Sequence, residues 1–288
     1  MDHVPTTFVE TVTLLLMHTR TPKAMVHLSE KYSKTAKFVL EKHSNRRLLI
    51  KEDKLTEIKY HDGRNNEILG QERKNYPSKF VLDNIICLLS CENDKIDHNL
   101  FNRLFALNAN LPVSIYTSEF HDNWIDYVST WKNMKDLSIY ADLSDPLMIL
   151  LQNVIENQQL ERLYLYSSNY TDEEAQMIVG LFSQEQFRTL SMEENDTDII
   201  CPAIERWLNY PKKMRGKSLE AKAYLKMVDL EMGSYLHCHQ DTGHWRSLYF
   251  TTREKKDMLT VHYYNRRGTS GMSLSQFLSG VTYSKLCF

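Results

Sequence analysis

The sequence predicts a mixed α/β fold on two observations: a short alternating phrase recurs through the middle of the chain, and amphipathic helical spacings lie between its copies. Val113-Ser114-Ile115-Tyr116 is followed by Leu137-Ser138-Ile139-Tyr140, Leu163-Tyr164-Leu165-Tyr166 and Leu190-Ser191-Met192-Glu193, at intervals of 24, 26 and 27 residues. Apolar residues at alternate positions mark a short strand with one buried face, because successive side chains of a strand point to opposite sides. Between the phrases, Ala175, Ile178, Val179 and Phe182 follow helical spacing behind a capping box of Thr171 and Glu174. Asp145 before Pro146 starts another helix, with Leu147, Leu151, Val154 and Ile155 inward. Trp124, Val128 and Trp131 mark an earlier helix, and Ile200, Ile204, Trp207 and Leu208 a later one.

One strand plus one helix cannot bury its own apolar face. Four such units must therefore stack as consecutive parallel strands with helical crossovers, a leucine-rich-repeat-like arc. With Leu137, Ile139, Leu163, Leu165, Leu190 and Met192 turned to the core, Ser138, Tyr140, Tyr164, Tyr166, Ser191 and Glu193 line the opposite face. Tyrosines there suit recognition of a target protein, since each offers a rigid ring and a hydroxyl at small entropic cost. Ordinary strand packing also favours aromatic residues, so the pattern fits that reading too.

The remaining elements divide the chain into segments 1–45, 46–110, 111–210 and 211–288. The first 45 residues read as three short helices. Thr7 and Glu10 cap the first, with Phe8, Val12, Leu15 and Leu16 on one face; Thr21-Pro22 starts the second; Leu28, Tyr32, Ala36, Val39 and Leu40 form the third. So small a bundle must lean on the rest of the chain or on a partner. Leu48 to Ile50 and Ile58 to Tyr60 predict a hairpin, with Lys51, Lys54, Glu57 and Lys59 as a solvated edge. Asp62 to Pro77 is expected to be a loop at a domain boundary. Phe80 to Leu89 is helix or strand, undecided by period, and a helix spans Leu100 to Leu107. Lys212, Lys213, Arg215 and Lys217 read as a solvated loop or a nuclear address. A hairpin of Leu248–Thr251 and Leu259–Tyr263, a helix near Leu274 to Leu278 and a strand ending at Phe288 predict an α+β C-terminal cap.

Composition narrows the function classes. A formal net charge of −2 over 288 residues gives no electrostatic reason to expect nucleic acid or an anionic membrane as partner. Five cysteines without framework spacing fit a reducing compartment, cytoplasmic or nuclear. The apolar run from Phe8 to Met17 carries Glu10 and is too short to span a bilayer. His237, Cys238, His239 and His244 include zinc-ligand types, but no second ligand pair stands at finger-like spacing, so the expectation is no metal. Cys87 and Cys91 read as small core residues rather than a redox pair, and Gly268 to Gly271 as a turn lacking a phosphate-loop lysine. No nucleophile, metallopeptidase or dinucleotide motif is present; the expectation is a binding protein without cofactors, with a metal-dependent enzyme as the alternative.

The opening Val4-Pro5, Phe8-Val9-Glu10 and Val12, followed by Leu28-Ser29 and Tyr32, resembles a divergent F-box. More broadly, the chain is similar to the large nematode family of F-box proteins with an F-box-associated C-terminal region. Phe182-Ser183-Gln184-Glu185-Gln186-Phe187 and Phe277-Leu278-Ser279-Gly280-Val281-Thr282 resemble phrases that end repeats in that family. The resemblance implies a substrate-recognition subunit of a cullin-type ubiquitin ligase, acting by tethering. Pro5, Phe8, Val9, Val12, Leu15, Leu28 and Tyr32 would face the small adaptor subunit, and the repeat face would hold the target. Val4 stands where the usual leucine is found, and no tryptophan or arginine follows Leu28-Ser29. Read without the resemblance, the same helices cap the end of the repeat stack, giving an interaction scaffold without ligase coupling.

Overall fold

The computed structural model describes residues 5–17, 27, 30–62, 64–75, 81–92, 96–105, 110–166, 170–194, 196–223, 237–240, 244–251, 258–266 and 272–288. It is mixed α/β and divides into two compact units, Met1–Ser114 and Ile115–Phe288. Segments 1–45 and 46–110 lie together in the first unit.

In the first unit, helices α1 (Thr6–Met17) and α2 (Glu30–Lys42) pack on each other. Val9 and Thr13, one helical turn apart, are buried on α1, as are Ala36 and Val39 on α2. The helix expected at Pro22 lies outside the described residues. Strands β1 (Ser44–Lys51) and β2 (Lys54–Asp62) form the predicted hairpin, longer at both ends than the apolar runs indicated. Glu52 and Asp53 turn the chain with φ of 50° and 62°, the paired positive values of the tight turn whose twist matches a two-strand ribbon. Lys51, Lys54 and Glu57 are exposed, in keeping with a charged edge.

β1 pairs in parallel with β3 (Val81–Leu88), so the run that periodicity left open is a strand. Leu48 and Ile50 on β1, with Ile86 and Leu88 on β3, are buried. Buried Arg46 donates from Nε to Asn84 Oδ1 at 2.7 Å, its register partner on β3. Cys87 and Cys91 are both buried; burial, with Asp53 and Glu92 nearby, pushes the Cys91 thiol far above its ordinary range. The Asp62 to Pro77 segment is not a domain boundary. Asp62 accepts from Arg64 N and Asn66 N, Ile68 is buried with its N–H on Tyr60 O, and a short 3₁₀ turn follows at Gly70–Asn75. Asp62 folds the chain back onto β2 by holding two backbone donors, a local bond pattern that competes with extended loop conformations. Helix α3 (His98–Phe105) buries Phe101, and Asn84 N and Ile86 N donate to Asn110 O and Pro112 O. Strand β4 (Val113–Ile115) ends this unit and begins the next.

In the second unit helices and short strands alternate. Helix α4 (Asp122–Ser129) precedes β5 (Asp136–Ile139), and α5 (Asp145–Glu156) precedes β6 (Arg162–Leu165). Helix α6 (Asp172–Gly180), with a 3₁₀ turn at Leu181–Ser183, precedes β7 (Thr189–Met192), and α7 (Thr197–Asn209) with the short α8 (Pro211–Met214) precedes β8 (Ser218–Ala221). β5, β6, β7 and β8 pair in parallel, with Leu137, Leu163, Leu190 and Leu219 in one register row. Tyr140 N donates to Ile115 O at 2.8 Å beside the first phrase. Each side chain of that leucine row is 1% exposed or less, and each contributes about 1.5–3 kcal/mol of burial.

The helices present the expected faces to this core: Trp124, Ile125 and Val128; Leu147, Leu150, Leu151 and Val154; Ala175, Ile178 and Val179; Ile199, Ile200, Ala203, Ile204 and Trp207. The Thr171–Glu174 capping box forms in both directions. Two residues fall short of the expected inward face: Leu208 is exposed and Ile155 half-buried, each at the margin of its helix's apolar stripe.

Beyond β8 the sheet turns antiparallel, through β12 (Val281–Cys287), β11 (Met258–Asn265), β10 (Trp245–Thr251) and β9 (His237–Gln240), with α9 (Leu274–Leu278) before β12. The predicted hairpin and terminal strand are both present. The basic stretch needs one correction. Lys212, Lys213 and Arg215 are exposed, but Lys217 is buried, its Nζ donating to Phe182 O at 2.9 Å and Gln184 O at 2.6 Å. Burial, then Arg188 and Arg206 nearby, lowers the pKa of this ammonium. Phe288 stacks edge-on against Phe182 at 5.6 Å, which sets it against the turn that follows α6.

Candidate binding face

The core of the second unit dictates what its strands show on the other side. With Leu137 and Ile139, Leu163 and Leu165, Leu190 and Met192, and Leu219 and Ala221 buried, alternation places three rows on the opposite face. The first is Asp136, Arg162, Thr189 and Ser218; the second is Ser138, Tyr164, Ser191 and Glu220. The third lies just past the strand ends, where the ladder continues: Tyr166 N donates to Ile139 O, Glu193 N to Leu165 O and Lys222 N to Met192 O. Ser138, Tyr140, Tyr164, Tyr166, Ser191 and Glu193 therefore share one face.

Each row is held by polar contacts across strands. Arg162 donates from Nε and Nη2 to both carboxylate oxygens of Asp136, the Nη2 contact at 2.7 Å. Lys285 on β12 donates to Glu220 at 2.6 Å, and Ser191 donates to the same carboxylate at 3.3 Å. In the third row Lys222 Nζ lies 2.7 Å from Glu193, whose carboxylate also accepts from the Tyr164 hydroxyl. The Lys222 bond, then the Tyr164 bond, holds Glu193 below the ordinary carboxyl range; the same contacts raise Lys222. Burial, then the bond to Glu193, pushes the Tyr164 phenol up to about 12. At neutral pH the cluster is thus a carboxylate, an ammonium and a neutral phenol.

Beside this cluster the face is aromatic. Tyr116 stacks on Tyr140 with centroids 4.7 Å apart and planes 5° from parallel, and Tyr140 leans on Tyr164 at 5.1 Å. Tyr116, Tyr140 and Tyr166 are 42%, 39% and 51% exposed. On the antiparallel strands Trp245 packs edge-on against Tyr283 at 5.8 Å and tilted against Tyr264 at 5.0 Å, and is itself 37% exposed. Reading the repeats from the sequence did not place Tyr116, Glu220, Lys222 or Lys285 on the face. Tyr116 ends the first phrase, and Ser218-Leu219-Glu220-Ala221-Lys222 continues the alternation 29 residues after Leu190, a signal visible in the sequence.

The first unit carries the residues expected to meet an adaptor, and they divide. Pro5 and Phe8 are exposed, Phe8 at 58%, and Val12 is half-buried. Phe8 and Val12, at i and i+4, form one stripe of α1, and Pro5 precedes the helix. Val9 is a correction: at 4% exposure it is buried in the chain's own interior, whereas an adaptor-facing residue would be open. Tyr32 is half-buried. The side chain of Leu15, and Leu28 altogether, lie outside the described residues.

His237, Cys238 and His239 sit on β9, but their side chains lie outside the described residues, as does the Gly268 to Gly271 turn. His244 Nδ1 donates to Asn265 O at 3.1 Å. Among the described residues no helix is long and apolar enough to cross a membrane. Comparison with family models, with curated proteins and with solved structures finds no match for this chain.

Proposed function

We propose that this chain is a substrate-recognition subunit of a cullin-type ubiquitin ligase, an F-box-like helical segment followed by leucine-rich-repeat-like units. The stripe of α1 docks the small adaptor, and the tyrosine-bearing strand face holds the target protein. The subunit acts by bringing target and ligase together; it has no chemistry of its own and uses no cofactor, and it works in the cytoplasm or nucleus. The observation that carries the reading is Phe8, a large apolar ring more than half exposed on a helix whose other side is already packed. Exposed rings of this kind, next to further apolar surface, serve as anchors in protein interfaces.

Tagged chain purified from cells and probed for adaptor and cullin tests the reading. Adaptor and cullin co-purify with the wild type and are lost with Phe8→Asp; a wild type that brings down neither overturns it. A second reading, an interaction scaffold without ligase coupling, draws on the burial of Val9 inside the chain, which removes one apolar residue from the stripe an adaptor would cover.

A further inference from the structure

We infer that the tyrosine face of the second unit takes a basic segment of its partner, rich in arginine and lysine; this rests on the reading of that face as a recognition surface. Three observations converge. First, the chain itself shows how the face holds a cation. Lys222 Nζ sits 2.7 Å from the Glu193 carboxylate, 3.2 Å from the Tyr164 hydroxyl and 5.3 Å from the centroid of the Tyr164 ring. Ring, hydroxyl and carboxylate together are the attractive elements an ammonium or guanidinium meets in protein sites.

Second, the strands next along the face carry the aromatic half of that arrangement in exposed form. Tyr140, pressed between Tyr116 and Tyr164, is 39% exposed, and Tyr166, at 51%, is more exposed than Tyr116 or Tyr140. Stacked rings form an apolar platform for the methylene stems of lysine and arginine, whose charged heads then reach past it.

Third, the loops that leave the strands at this edge supply the charge those heads would meet. Glu119 follows Tyr116, Asp142 follows Tyr140, Asp172 and Glu173 follow Tyr166, and Glu194 follows Glu193, all of them exposed. Asp172 and Glu173 are accounted for by the first turn of α6, where the helix dipole favours anions. Glu119, Asp142 and Glu194 stand before their helices begin, so capping does not explain them. A cationic segment lying on the rings thus finds carboxylates on one side, whereas an acidic segment meets repulsion.

The test measures binding of labelled peptides to the full chain by fluorescence anisotropy: one alternating arginine and lysine with serine, one with glutamate in place of each basic residue, and one uncharged. The variants are Tyr140→Ser with Tyr166→Ser, and Asp142→Asn with Glu194→Gln; all four side chains are exposed, and circular dichroism checks each fold. The basic peptide is expected to bind at least about tenfold more tightly than the other two, to lose about tenfold in each variant, and to weaken with added salt. Basic-peptide binding that the tyrosine variant leaves unchanged overturns the inference, since it is then charge attraction without the rings. An acidic or uncharged peptide that binds as well or better, and depends on the tyrosines, overturns the charge preference while the face remains a recognition surface. If no peptide binding depends on the tyrosines the inference fails, whereas the ligase reading is decided separately by adaptor co-purification with Phe8→Asp.

Discussion

Lys222, at the end of the last parallel strand, places its ammonium 3.2 Å from the hydroxyl of Tyr164, which stands two strands away and 58 residues earlier in the chain. The contact spans β7, whose Glu193 lies between and bonds to both. The face is therefore tied across strands by side chains as well as by the backbone ladder.

The pH dependence of this cluster follows from its shifts. Glu193 titrates below its ordinary value of 4.5 in the folded chain, so its contribution is fully present above that value and is lost as pH falls through the folded pKa. Lys222 is raised above 10.5, so its contribution is present below that value and is lost as pH rises through the folded pKa. The wild type is expected to exceed Glu193→Gln in stability by about 0.2–1 kcal/mol at neutral pH, as for partly exposed pairs, and by less in acid. Urea unfolding at several pH values measures the difference.

Replacing Phe8 by aspartate is expected to leave the thermal midpoint of the chain nearly unchanged, because the ring is exposed. Val9→Asp puts an unpaired charge in a buried position and is expected to cost about 3–5 kcal/mol. Thermal melts of the two variants separate a docking residue from a structural one on the same helix.

Gly280 is held to its identity by close approach. A Cβ there would lie 2.6 Å from Asn265 Nδ2, and buried Asn265 donates from that atom to Phe277 O at 2.7 Å. Gly280→Ala is expected to destabilise by about 1–3 kcal/mol through overpacking and loss of that bond. In a double-mutant cycle with Asn265→Ala the two costs fall short of adding.

Lys217→Met leaves the carbonyls of Phe182 and Gln184 without their ammonium donor and is expected to cost about 1–3 kcal/mol near neutral pH. The folded pKa of Lys217 is lowered, so between it and 10.5 the unfolded chain binds more protons and this lysine's contribution to stability rises with pH. The wild type should therefore gain on Lys217→Met as the solution becomes alkaline, which parallel denaturant titrations detect.

The parallel strands and their helices were legible because two periods alternate cleanly. Leu137, Leu163 and Leu190 share a phase of two, and the helix from Thr171 carries its own start signal. What stayed hidden depends on partners distant in sequence. Nothing around Lys217 tells that its ammonium meets carbonyls 33 and 35 residues upstream, so a basic run read as solvated. On α1, Phe8 and Val9 are both apolar and adjacent; only packing by elements distant in sequence decides which is covered. Phe80 to Leu89 could be assigned only once β1 lay beside it.

β8 is parallel to β7 along one edge and antiparallel to β12 along the other. An array of strand-and-helix units lengthens by duplication wherever its neighbour runs the same way, and that route is shut after Ala221. A further unit would instead fit internally, between rows already in register such as Leu163 and Leu190. Each copy would add about 4.8 Å of width and one more set of outward side chains free to diverge while the leucine beneath them stayed fixed.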